Sequence, residues 1–134
     1  MSAPAVRGDW ETSPMPAAHT AFSFRMHLSK KERAALCGGF IPQEMEDRWF
    51  FFMEGNRAFI HRSWSGICIY EVTLSPGSVH SAVVNRDPAE YSETDIAEDR
   101  RTLRELLRWW AGRSEDRRDA DDQNDPNGQE GRTR

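Results

Sequence analysis

The sequence predicts an α+β fold. It reads as one small domain with a four-stranded antiparallel meander, a short N-terminal helix and a longer C-terminal helix packed on the sheet. Two observations carry this. Between Trp49 and Val84, short aromatic and β-branched runs alternate with clusters of Gly, Asn, Ser and Pro, the pattern of consecutive antiparallel strands. Further on, Ile96, Leu103, Leu106, Leu107 and Trp110 recur at helical spacing.

The meander's strands fall at 48–53, 57–62, 67–74 and 79–84. Glu54-Gly55-Asn56 closes the first hairpin, with a glycine or asparagine available for positive φ. Ser63-Trp64-Ser65-Gly66 forms the second turn, and Ser75-Pro76-Gly77-Ser78 the third, with Pro76 suited to position i+1 and Gly77 to i+2. Strands 48–53 and 67–74 are apolar on both faces, so helices are expected over at least part of the second face. Asn85-Arg86-Asp87-Pro88 ends the sheet, because proline cannot donate to a ladder.

Ahead of the meander, Phe22, Phe24, Met26 and Leu28 alternate with polar residues, which predicts a short strand or extended segment with one face on the core. Ser29-Lys30-Lys31-Glu32 is a capping box. The brief helix it opens is stopped by Gly38-Gly39 after Cys37. The last helix, 95–111, follows the capping signal Ser92-Glu93-Thr94-Asp95. Asp95, Glu98 and Asp99 near its start and Arg108 and Arg113 near its end complement the helix dipole. Gly112 is its expected stop. The predicted order is β-α-β-β-β-β-α.

A chain of 134 residues is one domain by size. Its residues are 37% hydrophobic and 30% charged, a lean core for that length. Placing both ends outside the core resolves this. Residues 1–20, with Pro4, Pro14 and Pro16, read as a flexible segment in which Trp10 alone is suited to docking. Residues 115–134 hold seven acidic and four basic side chains and read as a disordered acidic tail. The domain proper is 21–114. Residues 1–114 carry 14 basic and 15 acidic side chains, so the basic footprint of a nucleic-acid binder is missing. Cys37 and Cys68 are expected as buried free thiols in a reducing cytoplasm. No leader opens the chain, and no apolar run nears the ~20 residues that span a bilayer, so no membrane is expected.

The sharpest candidate site is His61-Arg62-Ser63-Trp64-Ser65-Gly66. Trp64 would offer an aromatic face to a planar ligand, and Arg62 would pair with a phosphate or carboxylate. The plainer alternative folds Trp64 over the sheet edge and gives Arg62 an internal carboxylate. Strands 57–62 and 79–84 run the same way, so their C-terminal ends share one rim. That groups His61, Arg62, Trp64, Arg86 and Asp87 as a ligand-binding set, although Asp87 equally suits a loop cap. Arg100, Arg104 and Arg108, at i, i+4 and i+8, form a stripe on the last helix. It reads either as a solvated face balanced by Glu98 and Glu105 or as a docking face for an acidic partner. His19, His27, His61 and His80 lack metal-ligand spacing, and no phosphate loop or activated nucleophile is present. No metal, cofactor or catalytic residue is therefore expected.

Arg48-Trp49-Phe50-Phe51-Phe52, the block from His61 through Gly66 to Ile67-Cys68-Ile69-Tyr70, and Val84-Asn85-Arg86-Asp87-Pro88 together resemble a group of small bacterial domains that also occur beside macro domains, which process ADP-ribose. The resemblance spans 46–88. It implies a compact accessory module and assigns no catalytic residue. The expected function is a non-enzymatic binding or interaction module linked to nucleotide or ADP-ribose chemistry, with the turn 61–66 as its contact surface. The alternatives are a small enzyme acting on a nucleotide or ADP-ribosyl group through His61, Arg62 and Asp87, and a regulatory or toxin-neutralising partner docked by its arginine stripe.

Overall fold

The structure, a computed structural model, describes residues 4–121 and the side chains of residues 4–112. After a single 3-10 turn at Arg7–Asp9 come β1 (His19–Arg25), α1 (Lys30–Cys37), β2 (Trp49–Glu54), β3 (Arg57–Arg62), β4 (Cys68–Thr73), β5 (Val79–Asn85) and α2 (Ile96–Asp121). The α+β class and the meander β2 to β5 are as the sequence predicts. The sheet has five strands rather than four, however, in the order β1-β5-β4-β3-β2, with every neighbour antiparallel. The alternating segment at 21–28 supplies the fifth, since His19 through Arg25 form a full ladder with Val79 through Asn85.

Local chemistry accounts for the element ends. Ser29 Oγ accepts the Glu32 amide while Glu32 Oε1 accepts the Ser29 amide, closing the capping box of α1. Gly39 at φ 68 then turns the chain so that Phe40 bonds Phe51 in both directions, covering the outer edge of β2. The two-residue turn Gly55-Asn56 has its glycine at φ 63 and sets Trp49 opposite Arg62.

Period-two alternation sorts the strands between two faces. On the helix face, Phe22, Phe24, Phe51, Ile60, Tyr70 and Val84 pack under Leu103, Leu107 and Trp110 of α2, all three fully buried. Trp110 stacks on Phe51 with ring centres 4.5 Å apart. The opposite face carries Phe50, Phe52 and Phe59, and here two expectations are corrected. The N-terminal segment covers this face instead of a helix, and its residues do not all stay outside the core. Ala5 is buried and its amide bonds Gly38 O; Arg7 pairs with Glu54 and lies over the Phe52 and Phe59 rings; Trp10 stacks on Phe50. The apolar side chains of this strip bury aromatic surface that would otherwise face water.

Gly112 does not stop α2, which continues to Asp121. A glycine inside a helix costs only about 1 kcal/mol, and no proline follows until Pro126. The expected acidic tail thus begins within α2, and residues 122–134 lie outside the described residues.

Candidate functional site

The turn 62–67 is held by backbone and by neighbours on two sides. Arg62 N–H bonds Ile67 O and Gly66 N–H bonds Arg62 O, each at 2.9 Å, with Gly66 at φ 76. From one side Ser63 Oγ donates to Asp47 O at 2.7 Å, and Ser63 N–H to Arg48 O. From the other, Trp10 Nε1 donates to Ser63 O at 2.7 Å and Ser13 N–H to Gly66 O at 2.9 Å. With the backbone so committed, the Trp64 side chain projects outward and is 74% exposed. Its Nε1 reaches only the Met45 carbonyl, at 3.3 Å.

Beside Trp64 opens a cleft of about 560 Å³, lined among others by Met45, Glu46, Arg48, Arg62 and Glu90. Arg62 lies over the Trp49 ring, its guanidinium carbon 5.0 Å from the centroid, and its Nε is buried without a hydrogen-bond partner. No ion pair ties Arg62 to an internal carboxylate among the described residues. A second cleft of about 390 Å³, with Trp10 and Pro42 in its walls, shares Met45 and Trp64 with the first. The indole therefore borders both hollows.

Of the five residues expected on this rim, Arg62 and Trp64 line the cleft and three do not. His61 is buried on the aromatic face, stacked on Phe52 at 5.7 Å with its Nδ1 bonded to Gly66 O. Burial holds its imidazole below the usual range, partly offset by that bond. Arg86 turns inward, donating to Glu93 O and pairing with the buried Asp99 carboxylate, which also accepts the Tyr70 hydroxyl at 2.9 Å. Burial pushes the Tyr70 hydroxyl well above its ordinary range, so it serves as a fixed donor. Asp87 caps its own loop, Oδ1 accepting the Ala89 amide. Glu90, from that same loop, is the residue that reaches the cleft, held there by Asn85 Nδ2 at 2.9 Å. Arg48, Glu46 and Glu90 were not singled out from the sequence; the hairpin register, which puts Arg48 beside Ser63, was the available signal for the first.

His61, Arg62 and Asp87, the trio of the enzyme alternative, fall at separate places. The arginine stripe also divides. Arg100 Nε donates to Ser23 O at 2.7 Å, Arg108 pairs with Glu32, and Glu98 pairs with Arg101 rather than with the stripe. His61 and His80 face opposite sides of the sheet, His80 lying against Phe24 and bonded to Met26 O. Among the described residues no group of three or more His, Cys, Asp and Glu is placed to hold a metal ion, and no helix is long and apolar enough to cross a membrane.

No family model, no curated protein and no solved structure matches this chain.

Proposed function

We propose that this is a non-enzymatic binding module of the bacterial cytoplasm whose cleft takes an anion carrying a planar ring, a nucleotide-like ligand. The observation that carries the reading is the exposed Trp64 indole on a cleft that Arg62 and Arg48 also line. A ring stacked on an exposed indole gains roughly 1–3 kcal/mol. Arg62 and Arg48 supply donors for the anion, and Arg62 is already held over Trp49, so little side-chain freedom is lost on binding. Glu46 and Glu90 can accept hydrogen bonds from sugar hydroxyls or an exocyclic amine. Two free thiols accord with a reducing compartment.

Calorimetric titration with ADP tests this, with adenosine as the uncharged control and pyrophosphate as the ringless one. ADP should bind saturably and each control about tenfold or more weakly. Trp64→Ala should abolish ADP binding while its melting temperature stays within about one degree of the parent. Equal binding by Trp64→Ala, or no saturable heat with ADP, overturns the reading.

A further inference from the structure

β1 stands at one end of the sheet, and two bonds flanking it fix which of its backbone groups are used. Arg86 N–H donates to Ala18 O and Met26 N–H donates to Ser78 O, both at 2.8 Å. Bonded pairs alternate along an antiparallel ladder. Thr20, Phe22 and Phe24 therefore turn their backbone groups toward β5, and Ala21, Ser23 and Arg25 turn theirs outward. The Ser23 carbonyl bears this out, since Arg100 Nε reaches it from α2 at 2.7 Å. The opposite edge of the sheet is different, because Phe40 already covers β2 there.

At the level of Ser23 the edge opens into a cleft of about 290 Å³ lined by Arg25, Val79, Arg100 and Arg104, with no carboxylate in its walls. Arg25 and Arg104 have no acidic partner among the described residues, and Val79 is an exposed apolar side chain. Arg25 projects on the face away from α2, because its neighbour Phe24 is buried against the helix face. Arg100 and Arg104 reach the edge from the helix face. The outward amides are thus flanked by cations above and below.

We propose that the β1 edge binds an acidic extended segment of a partner protein, which joins the sheet as a sixth strand. Side chains of an added strand alternate between the two faces. Carboxylates at neighbouring positions would meet Arg25 on one side and Arg100 and Arg104 on the other. An incoming peptide N–H takes the Ser23 carbonyl from Arg100, whose guanidinium is thereby released to a carboxylate, so no hydrogen bond is lost in the exchange. A second copy of this chain suits the edge poorly, because its own β1 brings Arg25 and His19 rather than acids.

The test uses the full chain and a fluorescein-labelled peptide with a central run of glutamates between valines and threonines, followed by anisotropy at low salt. Saturable binding is expected, weakened about tenfold by Arg25→Glu or Arg104→Glu and lost when alternate peptide amides are methylated. Hydrogen exchange at Ala21, Ser23 and Arg25 should slow on binding, and Trp64→Ala should bind the peptide like the parent. Equal binding of the methylated peptide would reduce the site to charge attraction and overturn the proposal. Absence of binding would do so too, leaving the arginines as guards against edge-to-edge association. Dimerisation through β1, seen by sedimentation, would also overturn it.

Discussion

Arg86, at the exit of β5, pairs with Asp99, a carboxylate with no exposed surface in the first turns of α2. Tyr70 and Tyr91 also direct their hydroxyls at Asp99, so the pair ties the sheet, the loop after it and the last helix together. Removing one partner of a buried pair leaves the other desolvated and uncompensated, at a cost on the order of 3–5 kcal/mol. Asp99→Asn should show a loss of that size in a urea titration. A loss below about 1 kcal/mol would mean that water reaches the pair.

Leu107 lies at the centre of the contact between α2 and the sheet and has no exposed surface. Leu107→Ala should destabilise by about 2–5 kcal/mol, because the surrounding aromatic side chains relax only partly into the void. An effect under half of that lower bound, measured by denaturant midpoint, would place the helix differently.

Gly66 and Gly55 both have positive φ, but their surroundings differ. A Cβ on Gly66 would run into the Glu11 carbonyl, and one on Gly55 meets nothing within 4 Å. Gly55→Ala should lose only the backbone strain, on the order of 1 kcal/mol, and Gly66→Ala clearly more. Matching losses in the two variants would show that the N-terminal segment does not press on the turn.

His61 links stability to pH. Its folded-state pKa is depressed, so the unfolded chain takes up the proton first. Stability should hold above about pH 6.5, the ordinary imidazole value, and fall as the pH drops below it toward the folded-state pKa. Urea midpoints across that range should decline more steeply in the parent than in His61→Phe. Identical slopes would exclude His61 as the source.

The two thiols should react very differently. Contrary to the burial expected of both, Cys37 at the end of α1 is exposed, whereas Cys68 is buried and its thiol is pushed up to about 12, chiefly by that burial. Native protein should take up one equivalent of a thiol reagent promptly and the second only on unfolding. Rapid labelling of both would contradict the placement of β4.

Much of this architecture is written in local patterns. The capping box at Ser29, the Gly55-Asn56 turn and the apolar spacing of Leu103, Leu107 and Trp110 each declare an element, because each depends on neighbours within a few residues. Some site errors were also locally legible. Alternation along 57–62 sets His61 and Arg62 on opposite faces, so the two could not line one cleft. Asp99 stands four residues before Leu103, on the core side of α2, and Arg100 and Arg104 each follow a core position by one residue. One residue is about 100° of helix, which puts those arginines at the flank rather than on the outer face. What the pattern does not carry is partnership over distance: that β1 would join β5, that Asp99 would take Arg86, and that Trp10 would close the aromatic face.

Three contacts of the N-terminal segment span long stretches of sequence. Arg7 meets Glu54 across 47 residues, Trp10 meets Ser63 across 53, and Met26 meets His80 across 54. Each of these three partners lies far along the chain. The hairpins β2-β3 and β3-β4 close over short loops, and closure over long separations is entropically slower. The segment ahead of α1 is therefore expected to settle after the meander has closed, because its place is defined only by strands far along the chain.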